Sequence, residues 1–390
     1  MSDVVELELE RVAHGGTVVG RSGGKVVFVS GGLPGELVRV QVTQRGRSFD
    51  RGRVVEVLRP APGRVEPPCP IADACGGCDW QHVAPEVQLD LKTAVVAEQL
   101  QRLAGVTWAG RVRPVGQPLG WRTRMRYSVG PRGEVGLRSA RSHDVVPLPA
   151  QGCLVAAPDG PTVAELGSWG ARDSVAVVVS DDGVTTLADG AVVSGPAVVH
   201  EHVGDRRFEL AATGFWQVHP AAATVLTDAV LRLAAPQPGE SAVDLYCGVG
   251  LFAGALADAG CRVSGVELSA TAVAHARRNV PGATFRAAPM TRALRDLPRT
   301  CDIVVLDPPR AGAGAEVVDA VAGLGARAIV YVACDPAALA RDVAHFCRRG
   351  YAATHIEAYD LFPMTHHVEC VALLVPTDVQ GGGSGASLGG

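Results

Sequence analysis

Along the first 59 residues apolar and polar positions alternate in short runs, at 4–9, 26–29, 37–42 and 54–57. Gly15-Gly16, Gly23-Gly24 and Gly31-Gly32 separate them. Period-two runs bounded by glycine turns predict short strands, and several in succession predict a small OB-like β-barrel. Pro60, Pro62, Pro67 and Pro68 then interrupt the pattern as a linker would. Over 85–103, Val87, Leu91, Val95 and Leu100 fall at helical spacing, and 126–130, 174–179 and 197–200 read as further strands.

From about residue 222 the rhythm becomes helix, strand, helix. Helices are expected at 225–233, 251–259, 270–278, 315–321 and 337–348. They alternate with strands at 241–245, 263–267, 303–306 and 328–333, and 368–375 reads as a last strand. This alternation predicts an α/β domain, an open, parallel, doubly wound Rossmann-like sheet. The chain thus divides into a barrel (1–59), a mixed central domain (60–210), the α/β domain (211–378) and a Gly/Ser-rich tail (379–390) expected to be disordered.

The 390 residues suffice for two or three domains, with an ordinary 47% hydrophobic and 19% charged. The opening MSDVVELELE carries acids where an export signal would carry lysines and then an apolar run. Apolar stretches such as 328–333 are far shorter than the roughly 20 residues of a membrane span. A soluble, cytoplasmic monomer is expected. The net charge of −4 gives no support to a nucleic-acid partner, but its distribution does. Between 111 and 141 stand arginines 111, 113, 122, 124, 126, 132, 138 and 141 against the single acid Glu134. Arg45, Arg47, Arg51 and Arg53 form a second patch. Such runs are often merely solvated faces; two of them raise the prospect of an anionic polymer.

The segment Val243-Asp244-Leu245-Tyr246-Cys247-Gly248-Val249-Gly250 is a strand entering a glycine-rich turn that opens a helix. It has only two glycines, spaced G-x-G, without the third that a dinucleotide pyrophosphate calls for. About 20 residues on, Glu267 ends the next strand, where an acid can accept from a ribose diol. Asp307-Pro308-Pro309-Arg310 follows the strand 303–306, Cys334-Asp335-Pro336 follows 328–333, and Glu369 begins the last strand. If that strand runs antiparallel, its beginning lies beside the carboxyl ends of the others, where ligands of this fold bind.

A cysteine and a carboxylate in one pocket suit a particular chemistry. Carbon 5 of uracil is a poor nucleophile; a thiolate added to carbon 6 makes it enolate-like, able to take a methyl group. A base must then remove the carbon 5 proton before the thiolate leaves. Methylation of an exocyclic amine, the other chemistry common in this fold, places an aromatic after Asn/Asp-Pro-Pro. Arg310 stands there instead.

Ten cysteines without an export signal read as metal ligands or reactive thiols rather than disulfides. Cys69, Cys75 and Cys78 form a C-x5-C-x2-C group, and Cys153 is the nearest unassigned fourth thiol. Four cysteines suit zinc or an iron–sulfur cluster; the single C-x2-C hook tilts the reading toward 4Fe–4S.

Taken together these segments resemble the RNA 5-methyluridine (uracil-C5) methyltransferases over almost the whole chain. Residues 1–59 resemble the family's TRAM domain, an RNA-binding barrel. Cys69, Cys75, Cys78 and Cys153 match its 4Fe–4S ligands, and Cys78-Asp79-Trp80-Gln81-His82 resembles the continuation. The resemblance implies S-adenosylmethionine contacts at Gln217 (in Phe215-Trp216-Gln217-Val218), Tyr246, Glu267 and Asp307. It implies Cys334 as nucleophile and Glu369, in His367-Val368-Glu369, as base. Asp335, His219 and Leu251 depart from the family's usual residues, and the charge of Asp335 is expected to oppose thiolate formation. Members with the cluster mostly act on 23S rRNA, which is therefore the favoured substrate, with tRNA the runner-up. A non-catalytic RNA-binding scaffold is the reading from a different class.

Overall fold

The computed structural model describes residues 4–140 and 142–377; Arg141 and the tail 379–390 lie outside the described residues. Strands β1 (Val4–Val12), β2 (Val18–Ser22), β3 (Lys25–Ser30), β4 (Leu37–Arg45) and β5 (Phe49–Arg59) close a barrel in the order β1-β2-β3-β5-β4. Alternate residues, among them Leu7, Leu9, Val27, Val29, Val38 and Val40, fill its interior, as the period of two requires.

Helix α1 (Pro85–Ala104) follows, and then the short strand β6 (Val112–Pro114). Two faces of α1 are buried. Leu91 and Val95 join Val12 and Leu33 of the barrel around Trp80, while Val96 and Leu100 enter the core beneath the α/β sheet. Both α1 and β6 fall within the segment expected to form a central domain, yet they pack with the α/β layer.

The central segment supplies β7 (Arg124–Val129), β8 (Val135–Arg138), β9 (Val145–Pro147), the one-turn helix α2 (Val163–Leu166), β10 (Ser174–Ser180), β11 (Gly183–Ala188) and β12 (Ala191–Ser194). Its strands form a six-stranded antiparallel sheet, β12-β11-β10-β7-β8-β9. The hairpin β13 (Val198–Val203) and β14 (Arg206–Ala211) leads onward.

The α/β layer runs α3 (Ala222–Ala234), β15 (Ser241–Leu245), α4 (Leu251–Asp258), β16 (Arg262–Glu267), α5 (Ala270–Asn279), β17 (Thr284–Ala287) and α6 (Met290–Ala293). It continues with β18 (Ile303–Leu306), α7 (Ala315–Gly323), β19 (Ala328–Ala333), α8 (Pro336–Arg348), β20 (Tyr351–Asp360) and β21 (Glu369–Pro376). The sheet order is β17-β16-β15-β18-β19-β21-β20-β6. Strands β17 through β19 are parallel; β21 runs against both β19 and β20. The sheet is therefore mixed rather than wholly parallel. Chain order reverses between β15 and β18, which makes their carboxyl ends the crevice of the fold.

β20 is absent from the sequence reading for a physical reason. Its residues Glu357 and Asp360 are polar but buried, held by Arg232 of α3 and Lys92 of α1, and a register shift at 353–355 breaks its alternation. Among the described residues no helix is long and apolar enough to cross a membrane.

Candidate active site

The register of β19 and β21 pairs Ala333 with Cys370. One step further, past the end of β19, the same register sets Cys334 opposite Glu369. Cross-strand partners share a face of the sheet, so thiol and carboxyl stand on one side. Asp307, the residue after β18, and Asp244 in β15 fall on that face by the same alternation, with Val305, Val332 and Val371 beneath.

These groups sense each other. Burial, then Glu369 and Asp307, push the Cys334 thiol up to about 12, and Arg310 works against them. Burial foremost, and Asp307 after it, hold the Glu369 carboxyl well above the usual carboxylate range, with Arg310 again opposing. Burial raises Asp307 to about 7. Arg310 therefore acts on a thiol and a carboxyl that are both reluctant to ionise. Arg310 donates from Nη2 to His367 Nε2 at 3.3 Å, a ring that burial, His366 and Arg310 depress to about 3 and keep neutral.

The glycine turn after β15 is bent sharply. Tyr246 takes φ 65°, Gly248 φ 52° and Gly250 φ 93°, conformations that cost a side-chain-bearing residue about 1–3 kcal/mol. Tyr246 is thus a strained non-glycine residue at the strand end, with its half-buried ring beside Tyr331. Glu267 Oε2 accepts from Gly248 N at 3.2 Å and Oε1 from Ser269 N at 2.8 Å, which fixes the carboxylate beside the turn. Leu268 next to it is 69% exposed, an apolar surface at the rim. Asp244 is fully buried; its Oδ2 accepts from Ala253 N at 2.9 Å while Oδ1 has no partner. Gln217 lies half-buried between β14 and α3, and the neighbouring carbonyl of Val218 accepts from Thr123 N at 2.9 Å.

Asp335 does not act on the thiol as its charge suggests. Its Oδ1 accepts from Ala338 N at 2.7 Å, making it the N-cap of α8, and its Oδ2 lies 2.8 Å from His14 Nε2 of the barrel. These contacts hold it below the usual carboxylate range despite burial, and the groups raising Cys334 are Glu369 and Asp307 instead.

The loop carrying Glu369 is held from outside the sheet. Asp79 N and Trp80 N both donate to Met364 O at 3.0 Å, and Gln88 Oε1 accepts from Met364 N at 2.9 Å. Met364 also packs with Trp121 and Val155, and Cys78 and Cys153 border this cluster. Those two thiols, with Cys69 and Cys75, line one cavity of about 170 Å³. Burial raises Cys75, Cys78 and Cys153, Cys78 to about 12, and the thiols reinforce one another. Among the described residues no group of His, Cys, Asp or Glu converges closely enough to hold a metal ion.

The sequence reading uses Arg310 only as the residue standing where an aromatic would follow Asp-Pro-Pro, and gives no role to Asp244, His367 or His14. Asp244 stands in the glycine-turn strand as a polar residue in an apolar run, a signal that was available. His14 lies 321 residues from its partner, with no local signal.

Fold and site together define a methyltransferase with an appended barrel. The sequence profile described as tRNA (Uracil-5-)-methyltransferase matches residues 199–377, and the TRAM domain profile matches 3–55. An uncharacterized RNA methyltransferase of Streptomyces avermitilis is 44% identical over 433 residues, covering 96% of this chain and 99% of that protein. A 23S rRNA (uracil(1939)-C(5))-methyltransferase of Alkalilimnicola ehrlichii is 34% identical, over 94% of this chain and 96% of its own. The crystal structure of Pyrococcus abyssi tRNA (uracil-54, C5)-methyltransferase, in complex with S-adenosyl-L-homocysteine, superposes with a TM-score of 0.73. It is 24% identical and covers 95% of this chain and 99% of that one. The chain belongs to the RNA (uracil-5-)-methyltransferase family, whose members move a methyl group from S-adenosylmethionine to carbon 5 of uracil in RNA.

Proposed function

We propose that this enzyme methylates a uracil of 23S rRNA through a covalent adduct, with Cys334 as nucleophile and Glu369 as base. The observation that carries the reading is the cross-strand placement of Cys334 opposite Glu369 on the ligand-binding edge. Cys334 Sγ bonds to carbon 6, and carbon 5 becomes nucleophilic. S-adenosylmethionine, when bound, supplies the electrophilic methyl group. Glu369, in its ionised form, then takes the carbon 5 proton, and the carbon 6–sulfur bond breaks with its electron pair returning to sulfur as thiolate.

Glu267 fits the ribose diol, and Tyr246, Gln217 and Asp307 line up as the remaining contacts. Asp244 with its unpartnered Oδ1, Asp307 and Glu369 gather carboxyl oxygens at this edge, and a sulfonium cation bound there would favour their ionised forms against the burial that opposes ionisation. Arg310 lies where it can stabilise the thiolate or the negative charge that develops on the uracil. The barrel (1–59) and the exposed arginines 111, 113, 126, 132 and 138 would contribute phosphate contacts around an unstacked target, whereas Arg124 is committed to Glu201 and to the carbonyls of Ala212 and Gly214.

The four cysteines support ribosomal RNA over tRNA, as does the relative from Alkalilimnicola. They would hold a 4Fe–4S cluster. Structural zinc sites usually show paired C-x2-C hooks, and only one such hook is present among these four thiols. The cluster would hold the four cysteines as ligated thiolates, against the burial that raises Cys75, Cys78 and Cys153, and tie 69–78 to Cys153. The mechanism above calls on it for no electron.

The test is labelling of unmodified rRNA and tRNA pools with radioactive S-adenosylmethionine by anaerobically purified protein. Label is expected in 5-methyluridine of rRNA and absent with Cys334→Ala. Glu369→Gln should accumulate a protein–RNA adduct. Label confined to tRNA would replace the substrate, and turnover by Cys334→Ala would overturn the covalent route.

A further inference from the structure

The turn between β1 and β2 leaves the barrel and touches both segments of the reaction centre. It is closed by Ala13 N donating to Thr17 O at 2.7 Å, and Val12 and Ala13 are buried. His14 Nε2 lies 2.8 Å from Asp335 Oδ2, and Asp335 follows Cys334 directly. Since Oδ1 of the same carboxylate caps α8, both oxygens are used, one by the helix and one by the barrel. Two residues beyond His14, Gly16 (φ 79°) packs on His366: a Cβ there would meet His366 Cβ at 2.9 Å. The Gly16 carbonyl accepts from Trp80 Nε1 at 3.1 Å, and His366 Nδ1 lies 2.6 Å from Asp79 Oδ2. Glu369 begins β21 three residues later.

From this geometry we infer that the barrel turn is a working part of the active site, with His14 a positioning residue for the segment that bears Cys334. The inference rests on Cys334 as nucleophile. On its N-terminal side Cys334 is fixed by Ala333, buried in the sheet. On its C-terminal side it is fixed by Asp335, whose conformation is set by the α8 cap and His14 together. Gly16 braces the opposite segment through His366. The β19–β21 ladder sets the register of the two segments, and the barrel turn braces both just beyond its end. Reaction rates are steep in the placement of reacting groups: a misplacement of about 1 Å can cost roughly a hundredfold. A barrel that only gathers RNA would affect affinity; this one also affects the rate after binding.

The experiment uses the full chain and compares His14→Ala, His14→Gln, Asp335→Ala and the His14→Ala/Asp335→Ala pair. Single-turnover methylation is measured at saturating RNA and S-adenosylmethionine, RNA affinity separately, and unfolding temperature as a check. His14→Ala should slow the single-turnover rate by roughly tenfold, inside the range positional errors produce, with RNA affinity within about twofold. His14→Gln, whose side-chain amide can still donate, should recover much of the loss. His14→Ala should cost nothing more once Asp335 is Ala. A wild-type rate in His14→Ala, a loss confined to RNA affinity, or full additivity with Asp335→Ala each overturns the inference. Cys334→Ala separates the two levels. If it turns over, the nucleophile reading falls and this inference with it; if it is inactive while His14→Ala is unimpaired, only the positioning role falls.

Discussion

Cys334 and Glu369 face each other across the β19–β21 ladder, one step beyond the pair Ala333–Cys370, although 34 residues and two other elements separate them in the chain. The relationship depends on β21 running against β19. In a wholly parallel sheet Glu369 would begin its strand at the far end, remote from the thiol. The antiparallel insertion therefore brings the Glu369 carboxyl to the Cys334 thiol and sets both among groups that resist ionisation.

The thiol should accordingly be sluggish in the free enzyme. Thiolate is the reactive form, and with Cys334 pushed up to about 12 its fraction rises roughly tenfold per pH unit below that value. Iodoacetamide labelling of Cys334, read by peptide mass spectrometry, should be slow at pH 7 and climb by about that factor per unit between pH 8 and 10. Arg310→Met removes the group that lowers the thiol and should slow labelling further. Labelling that is fast and flat with pH would mean a thiolate already formed.

The cavity lined by Cys69, Cys75, Cys78 and Cys153 gives a second prediction, independent of turnover. Protein prepared without oxygen should contain iron and acid-labile sulfide with visible absorption, and Cys153→Ser should lose much of both. Because Cys78 and Cys153 border the Trp121–Val155–Met364 cluster, the variant should also unfold at lower temperature. Stoichiometric zinc without sulfide would refute the assignment.

What could be read along the chain followed from how local each signal is. β15, β18 and β19 were legible because their residues are buried on both faces and so read as apolar runs. Asp307 and Cys334 were legible as polar residues immediately after such runs. β20 was not, because Glu357 and Asp360 are buried against cations from other elements. Asp335 illustrates the same limit. Its charge beside a thiol suggests repulsion, yet the helix cap and His14, 321 residues away, occupy the carboxylate. The four cysteines are close in sequence only as three; Cys153 joins them because the central sheet folds back, with Cys75 bridged to Ser139.

Lys92 tests how firmly the connection between β20 and β21 is anchored. Its ammonium is fully buried, donating to Asp360 Oδ1 at 2.6 Å and Phe362 O at 3.1 Å. Lys92→Met leaves Asp360 buried without its partner and should cost about 3–5 kcal/mol. Lys92→Met/Asp360→Leu should recover much of that, because two apolar groups then replace two charges. Urea unfolding measures both, and a single variant within about 1 kcal/mol of wild type would show that the pair adds little beyond packing.

The last prediction concerns charge at the cofactor edge. S-adenosylmethionine carries a positive sulfonium and S-adenosylhomocysteine does not. Burial raises Asp307 to about 7, so it is largely protonated at pH 6 and largely ionised at pH 8. An ionised carboxylate favours the cation and leaves the neutral product unaffected to first order. The preference for S-adenosylmethionine over S-adenosylhomocysteine should therefore grow as pH rises from 6 to 8, and binding of the cation near pH 7 should release protons. Calorimetry in buffers of different ionisation enthalpy reads both quantities. Asp307→Asn removes the titrating group and should flatten the trend. The same linkage acts on the empty protein with a definite sign. A carboxyl whose folded pKa lies above its unfolded one stabilises fully below the unfolded value of about 4, and that contribution is lost as pH rises through about 7. The ligand-free enzyme should thus lose part of its stability over the interval in which its preference for the methyl donor increases. A preference that stays constant from pH 6 to 8 would show that Asp307 does not face the sulfonium.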